Sequence, residues 1–523
     1  MNPRLLLAPA LATCLAAALP AQLAGAYAVG PGGTFPNLTA ALAALQSQGV
    51  VAPVTFVLLA NETGPWTLGA FPGQGPSNPV VFDGLGTATI SGTQPVLTLS
   101  GCANVAFRGL RGTFTNTPNA IVIQAGTTDT RFDHCNLFAN VATSGQALMT
   151  VSGGSGLTIE DCEFGGGYES IYVMVAASNT TIRRNKILGG GFWIMRLAGS
   201  DIVLENNFVT GTSQYGISAG IAGNAASGQN LKIRHNSVFI QHPTTSTQFC
   251  SLRWYAAAAN NTEVVDNIFY DGYGATGALN MWCSSTLRPT VMDHNCLWSN
   301  VAGYNCVYAG SNLQFAAWQA LGFDTNSIQA DPQYTAPGTS TAADLRLGTG
   351  SPCATAGTLL ASTPFDYFWA VRTAPVSIGA HESDSGLASY TVFGAGCAGT
   401  AGVPTNSSSL PPQLGTTAVL TFGNLPSPPL AIALFGLSNT QSAFGPLPLA
   451  LAGFGAPNCT ARVSPDASTF LVGSAGAASL QVTTPNLPGL LGVTYHTQAL
   501  VLDPALNALG ASMSAAATAI VGL

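Results

Sequence analysis

A short pattern that recurs between about residues 105 and 300 constrains the fold most strongly. In each copy an apolar residue is followed by two polar or variable residues, a small Asn or Cys, one variable residue and a second apolar residue. The copies are FDHCNL (132–137), IEDCEF (159–164), IRRNKI (182–187), VLENNF (203–208), IRHNSV (233–238), VVDNIF (264–269) and MDHNCL (292–297). Successive copies begin 21 to 31 residues apart. This irregular spacing is too variable for stacked helix pairs and indicates one turn of a β-solenoid per copy.

The small residue of each copy, which we call the anchor, is expected to lie in one column along the solenoid. Short segments rich in Ile, Val and Phe and separated by Gly, Asn and Ser are strands. Stacking one copy per coil gives an all-β, right-handed parallel β-helix whose anchors stack at a bend. An Asn there satisfies backbone groups and tolerates a left-handed conformation. The anchors are Cys135, Cys162, Asn185, Asn206, Asn236, Asn267 and Asn295, and an earlier copy, VAFRGL, has Arg108 at this position.

Charge and the N-terminal sequence narrow the class of protein. With 15 Lys and Arg against 22 Asp and Glu, the net charge of −7 leaves no basic stripe for a phosphate backbone, which excludes nucleic acid as a partner. An apolar run from Leu5 to Leu19 before Ala24-Gly25-Ala26 predicts a signal peptide over residues 1–26. No later stretch is apolar enough for a transmembrane segment. We therefore expect a protein that is secreted or lies at the cell surface.

The sequences on either side of the repeats also carry motifs. The segment VGPGGTFPNLTAALAAL (29–45) precedes the repeats, and 318–334, 344–357 and 376–382 follow them. Together with the repeats, these segments resemble the secreted bacterial right-handed parallel β-helix proteins of the pectate-lyase-like superfamily over residues 27–384. The resemblance implies that 29–45 forms a strand and turn followed by a capping helix, and that the three later stretches form the closing segment. The family includes polysaccharide lyases, esterases and epimerases, together with members of no known chemistry. The resemblance implies a fold and a polysaccharide partner, but not one reaction.

A change in composition marks a second domain. After a predicted linker at 385–391, residues 392–523 contain only three charged side chains, Arg462, Asp466 and Asp503. Their alternating apolar segments predict a small antiparallel β-sandwich, similar to modules at the ends of secreted bacterial proteins. Cys397 and Cys459 are its cysteines and are expected to form a disulfide. Within the β-helix, Cys250 with Cys283 and Cys296 with Cys306 are further candidate pairs.

Charged residues collect beside the anchors, since residues at one repeat position become neighbours about 4.8 Å apart on successive coils. One interpretation is an ion-pair ladder that makes one face soluble and fixes the register of the coils. The other is a polysaccharide groove, in which a base removes a proton beside a uronate carboxylate and cations stabilise the anion. In that hypothesis the catalytic candidates are Arg183, Arg184 and Lys186, and the substrate-binding candidates are Glu160, Asp161, Glu163, Glu205, Arg234 and His235. The carboxylates among them are ligands of the kind that Ca²⁺ prefers, although no metal site is defined by the sequence.

Aromatic residues offer a platform for sugar rings or pack beneath loops; they are Trp193, Trp254, Tyr255, Tyr270, Tyr273, Trp282 and Trp298. Two functions remain open at this stage. The first is binding or modification of extracellular or cell-envelope polysaccharide, by lyase-like or hydrolase-like chemistry if the protein is an enzyme. The alternative is a non-catalytic surface, adhesive or matrix protein that uses the β-helix as a rigid scaffold.

Overall fold

The computed structural model describes residues 21–92, 95–115, 119–140, 145–242, 249–256, 261–272, 279–283, 286–300, 305–348, 350–383, 388–487, 490 and 492–522. Most of the predicted signal peptide, residues 1–20, and the predicted platform residue Tyr273 therefore lie outside the described residues.

Residues 23–313 form a parallel β-helix with three sheets, confirming the predicted fold class. Sheet A contains β1 (Leu23–Val29), β2 (Val50–Leu58), β5 (Val80–Asp83), β8 (Ala103–Arg108), β11 (Thr128–Asp133), β14 (Gly154–Ser155), β15 (Thr158–Glu160), β18 (Ala177–Arg183), β21 (Ser200–Glu205), β24 (Lys232–Arg234), β27 (Glu263–Val265) and β30 (Val291–Asp293). Sheet B contains β9 (Arg111–Thr115), β12 (Asn136–Asn140), β16 (Glu163–Gly166), β19 (Lys186–Leu188), β22 (Phe208–Thr212), β25 (Ser237–Gln241), β28 (Ile268–Gly272) and β31 (Cys296–Ser299). Sheet C contains β4 (Trp66–Gly69), β7 (Leu97–Ser100), β10 (Ile121–Ile123), β13 (Ala147–Val151), β17 (Glu169–Val173), β20 (Trp193–Leu197), β23 (Tyr215–Ala219), β26 (Cys250–Trp254), β29 (Leu279–Cys283), β32 (Cys306–Tyr308) and the antiparallel β33 (Ser311–Leu313).

Ladders of apolar side chains fill the space between the three sheets. On sheet A, the rings of Phe56, Phe82, Phe107 and Phe132 stack on successive coils with centroids 5.1 to 5.3 Å apart. Each ring is almost fully buried, so a coil gains its apolar core only by stacking on its neighbours. Two short strands, β3 (Glu62–Thr63) and β6 (Ile90–Ser91), pair beside this core.

The capping helix is present where the sequence predicts it. Helix α1 (Leu38–Gln48) begins after Asn37, whose side chain accepts the backbone N–H of Ala40 at 2.9 Å. It ends at Gly49, which has a φ of +72° and so occupies the left-handed region that favours glycine. The buried face of α1 covers the first coil and keeps the apolar core from solvent.

The bend between sheets A and B corrects two of the predicted anchors. Cys135, Cys162, Asn185, Asn236, Asn267 and Asn295 do share one column, but in the fourth copy, VLENNF, the anchor is Asn207 and not Asn206. Strand pairing places Ile182 opposite Leu204, so the copy is displaced by one residue. Likewise Phe132 pairs with Phe107, so Arg108 is not an anchor.

The left-handed conformation also belongs to a different position from the one predicted. It is adopted by the residue before each anchor: Gly109, His134, Asp161, Arg184, Asn206, His235, Asp266 and His294 all have φ between +48° and +59°. We call these eight residues the bend column. The anchor itself is buried, and its amide links adjacent coils.

The closing segment folds back along the β-helix instead of ending it. After the short helix α2 (Phe315–Gln319), residues 330–348 and 350–383 run over the outer side of sheet B, and we call them the strap. The strap contains β34 (Tyr334–Ala336) and β35 (Asp344–Leu347). Its side chains Leu345, Cys353 and Ile378 pack against Phe239 and Ile268 of sheet B.

The C-terminal region forms separate antiparallel sheets, as predicted. One sheet contains β36 (Ser389–Phe393), β48 (Ala516–Ile520), β46 (Thr494–Leu502), β39 (Leu430–Gly436), β44 (Ala467–Val472) and β47 (Ala511–Met513); another contains β37 (Thr405–Ser408), β38 (Thr417–Gly423) and β45 (Ala478–Thr483). Two hairpins complete the region, β40 (Gln441–Ser442) with β41 (Gly445–Pro446) and β42 (Leu449–Ala450) with β43 (Thr460–Ala461).

Of the three predicted disulfides, only Cys397–Cys459 is formed. Cys250 and Cys283 are free because they are out of register: Cys250 lies opposite Leu279, and Cys283 lies opposite Trp254. Cys296 and Cys306 are also free. They belong to different apolar clusters, Cys296 to the one beneath the strap and Cys306 to the interior of the β-helix.

Candidate functional site

The predicted cationic cluster lies where the bend column passes under the strap. Arg184 is buried, donates to Glu160 at 2.7 Å and to Asp161 at 2.9 Å, and its guanidinium lies 3.5 Å from the ring centroid of Trp369 in the strap. Arg183 is more exposed but also pairs with Glu160 at 2.8 Å. The charges of both arginines are therefore compensated by the protein itself.

Lys186 is held by the strap. Its ammonium group donates to the carbonyl oxygens of Thr341 and Ala343, the latter at 2.7 Å. Burial lowers the pKa of Lys186, although Glu163 and Asp344 act in the opposite direction. The catalytic assignment of Arg183, Arg184 and Lys186 stays a prediction, and the structure gives each of them a protein partner.

Glu160 is the centre of an ion-pair network. Its buried carboxylate accepts from Arg131 at 2.7 Å as well as from Arg183 and Arg184. Burial alone would raise the pKa of Glu160, but the hydrogen bond from Arg183 and the three positive charges outweigh it, so the pKa lies below its ordinary value. We call the charged residues beside the anchors the charged stripe. Around Glu160 its ion pairs join neighbouring coils, as expected of a ladder that fixes the register of the coils.

Three further predicted binding residues, which lie on later coils, are covered by the strap: Glu205, Arg234 and His235. Glu205 accepts from Thr363 at 3.0 Å, and Arg234 donates to Ser362 at 2.8 Å while it pairs with Glu263. His235 is completely buried, and burial, together with the charges of Arg372 and Arg234, lowers its pKa well below its ordinary value. Glu205 and Arg234 therefore bind protein groups in this structure, whereas both ring nitrogens of His235 have no hydrogen-bond partner among the described residues.

The open part of the bend column forms a groove of about 390 Å³. Its lining includes Gly109, His134, Asp161, Glu163 and Lys186, together with the strap residues Thr341 and Tyr367. Of the predicted substrate-binding residues, this groove brings together Asp161 and Glu163. Asn136, which also lines the groove, donates to Glu163 at 2.9 Å.

One cluster in the groove has atoms of the kind that bind metals. Ligand-type atoms of Asp133, His134 and Asp161 lie within 4.8 Å of one another. Of the four carboxylates predicted as Ca²⁺ ligands, only Asp161 belongs to it. Arg108 and His134 already donate to Asp133 at 3.1 and 2.5 Å, and Arg184 to Asp161, so protein cations compensate both carboxylates. A histidine among the donors also departs from the all-oxygen set that Ca²⁺ prefers.

Sheet C carries a second and different candidate surface. Strand pairing places Tyr172, Arg196, Ser218, Arg253 and Trp282 side by side on five successive coils. Their neighbours along the strands, such as Ile171 and Leu252, point into the core. We call this row, with Glu169, Trp193, Tyr215 and Tyr255, the sheet C face.

Both arginines of the sheet C face lie on aromatic rings. The Arg196 guanidinium carbon is 4.6 Å from the centroid of Tyr172 and 4.8 Å from that of Trp193. The Arg253 guanidinium carbon is 4.2 Å from Tyr215, 4.6 Å from Trp282 and 5.2 Å from Tyr255. Stacking on rings holds a guanidinium in place while leaving its in-plane N–H groups to donate to a ligand.

The predicted aromatic platform is therefore divided. Trp193, Tyr255 and Trp282 belong to the sheet C face, and each is half-buried. Trp254 is fully buried in the core, which excludes it from a platform. Tyr270 and Trp298 pack on the other side of the β-helix, beneath the strap.

Arg196, Arg253, Tyr172 and Glu169 were missed by the sequence interpretation. The signal was available in a second set of copies, ESIYV, WIMRL, YGISA, CSLRW and LNMWC, whose fourth residues form the row on sheet C. These copies lack a shared Asn or Cys, so only their strand pairing reveals the register.

The fold is that of a right-handed parallel β-helix protein with an antiparallel C-terminal region. The profile of the family described as "Right handed beta helix region" matches residues 119–317. The search of curated proteins found no significant match. Within the described residues, no helix is long and apolar enough to span a membrane.

Solved structures similar to the chain include pectate lyase Pel9A, with 13% identity, a TM-score of 0.31, and coverage of 69% of this chain and 97% of that one. The tailspike protein of an Acinetobacter phage has 11% identity and a TM-score of 0.31, with coverage of 90% and 80%. A mutant of the periplasmic alginate epimerase AlgG has 11% identity and a TM-score of 0.29; the match covers 52% of this chain and 64% of the epimerase, less than two thirds of its length. At these values the likeness does not extend to individual site residues.

Proposed function

We propose that the protein binds an acidic polysaccharide along the sheet C face. The observation that carries the proposal is the row in which Arg196 and Arg253 stand between Tyr172 and Trp282, with both guanidinium groups stacked on rings. A planar guanidinium recognises a carboxylate through two parallel hydrogen bonds, and a ring beside it offers an apolar face to a sugar.

The spacing of the row suits a polymer. Arg196 and Arg253 are two coils apart, or about 9.6 Å at the usual strand spacing, so a chain laid along the β-helix axis meets a cation on alternate coils. Two charge contacts on one rigid surface bind a polymer more tightly than either contact alone.

Charge distribution favours this face over the bend column. The chain has only 15 Lys and Arg. Arg183, Arg184, Arg131 and Arg234 are paired with buried or half-buried carboxylates. On the sheet C face, Arg196 has one loosely placed carboxylate partner, Glu169 at 3.4 Å, so more of its charge is available to a ligand.

The test is binding of purified full-length protein to polygalacturonate, with neutral dextran as the uncharged control, measured by calorimetry. We expect binding to polygalacturonate that weakens with added salt, and none to dextran. Equal binding to both polymers, or to neither, would overturn the proposal. The same samples are assayed for unsaturated products and reducing ends, which separate modification of the polymer from binding alone.

A further inference from the structure

Glu169 lies at the start of β17, beside Trp193 of the next coil. Its side chain is only 2% exposed. Carboxylates are rarely buried to this extent unless a partner compensates the charge. The surroundings of this side chain therefore decide whether it carries a charge.

Those surroundings compensate the charge only in part. Glu169 Oε1 lies 3.4 Å from Arg196 Nη1, longer than a usual charge-assisted hydrogen bond, and Glu169 Oε2 has no hydrogen-bond partner within the described residues. β13 brings Ala147 against Glu169 from the preceding coil and β20 brings Trp193 from the next, so Arg196 is the one charged group that acts on Glu169 among the described residues. Burial raises the pKa of Glu169, and the charge of Arg196 lowers it by less.

The consequence falls on Arg196. When Glu169 is ionised, its negative charge cancels much of the field of the guanidinium that stacks on Tyr172 and Trp193. When Glu169 holds a proton, that field is available to an anionic ligand. Because the aromatic contacts hold Arg196 in both states, the change is in charge and not in position.

We propose that Glu169 is a pH-responsive counter-charge to Arg196, which strengthens binding of an acidic polymer to the sheet C face as the pH falls. The inference rests on the proposed function and adds regulation to the same surface. Glu169 does not bind the ligand itself and acts only through the charge of Arg196.

The experiment measures the dissociation constant of the full-length protein for polygalacturonate at pH 5, 6, 7 and 8. Dextran sulfate is a second probe. Its sulfate groups stay ionised over this pH range, so a change in affinity for it comes from the protein and not from titration of the polymer. We expect the affinity of the wild type to rise about 10-fold between pH 8 and pH 5 with both probes, equivalent to about 1.4 kcal/mol. Glu169→Gln copies the protonated state, so its affinity should be high and nearly independent of pH.

Glu62→Gln is the matched control, because Glu62 is also a buried carboxylate but lies in β3 outside this face, and it should keep the wild-type dependence. Glu169→Ala is a second variant and should also lose the dependence. If the wild type binds but its affinity does not change with pH, or if Glu169→Gln retains the change, the inference is wrong and the proposed function stands. If the wild type binds neither probe at any pH, the proposed function fails as well.

Discussion

Asn207 Oδ1 accepts the backbone N–H of Asn185, one coil away, at 3.0 Å. The Asn207 side-chain amide in turn donates to the carbonyl oxygens of Glu205 and Ile182 at 3.0 and 2.9 Å. Each anchor in this part of the column repeats these contacts, so one side chain joins two coils and closes its own bend. The column is therefore the polar counterpart of the apolar ladders.

Replacing Asn207 with Leu should lower the free energy of unfolding by about 1 to 3 kcal/mol, because it leaves buried backbone groups without partners. Asn312→Leu, at an exposed position of β33, is the control and should change stability little. Urea unfolding followed by circular dichroism checks both variants. Equal stability of the two would mean that the Asn contacts do not hold the coils together.

Arg372 should fix the strap to the bend column. It is buried and donates to Asn206 Oδ1 at 2.8 Å, to Gly379 O at 2.8 Å and to Glu382 at 3.1 Å. Arg372→Ala removes the cation that pairs with buried Glu382 and the donor to Asn206 and Gly379, and breaking a buried ion pair typically costs about 3 to 5 kcal/mol. We expect faster hydrogen exchange and earlier proteolysis across 353–382, with the β-helix strands unchanged.

Arg346→Ala is the control for this experiment, since Arg346 is also in the strap but is half-exposed and pairs with Asp344 alone among the described carboxylates. It should leave the exchange of 353–382 close to that of the wild type. Protection that is the same in both variants would contradict the role given to Arg372.

The strap should loosen as the pH rises from 6.5 to 8. Burial raises the pKa of Asp266, which accepts from the strap N–H of Thr358 at 2.9 Å, to about 8. A carboxyl whose pKa is higher in the docked state holds its proton more tightly there, so stability is lost as the pH rises toward that value. Burial also raises the pKa of Asp366, to about 6, and of Glu382 and Glu205. His235, with a lowered pKa, has the opposite effect only below about pH 6.5.

We expect this change to be worth up to about 2 kcal/mol for Asp266 alone, from 1.36 kcal/mol per pKa unit. The urea concentration at which 353–382 becomes sensitive to protease should fall between pH 6.5 and pH 8. Asp266→Asn, which mimics the protonated group, should remove most of the fall. A variant with an unchanged pH dependence would show that Asp266 does not control the strap.

The repeats were sufficient to predict the β-helix, while the capping helix followed from the resemblance of 29–45 to the family and the antiparallel C-terminal sheets from the alternating apolar segments of 392–523. The register failed at VLENNF because two adjacent asparagines, Asn206 and Asn207, both fit the pattern, and only strand pairing selects Asn207. The strap could not be predicted as a cover for Glu205, Arg234 and His235, because its contacts join residues more than a hundred positions apart. The sheet C face was missed since its residues share a position in space but no common residue type.

The charged stripe beside the anchors remains a rival site. If the sheet C face binds the polymer, Arg183→Ala/Lys186→Ala should bind polygalacturonate as the wild type does and should lose only contacts to Glu160 and the strap. Turnover, if products are found, is measured on the same variant. A loss of two or more decades in turnover with unchanged unfolding would place the chemistry at the stripe, as the sequence hypothesis has it.

The most direct measurement is the affinity of Arg196→Ala/Arg253→Ala for polygalacturonate, compared with the wild type and with Arg183→Ala/Lys186→Ala. Each lost charge-assisted hydrogen bond is worth about 1.5 to 3 kcal/mol, so we expect the sheet C variant to bind at least about 100-fold more weakly. Circular dichroism checks that the variant is folded, because Arg196→Ala also removes the charged partner of buried Glu169. The stripe variant should keep wild-type affinity. Wild-type affinity in the sheet C variant together with a loss in the stripe variant would contradict the account.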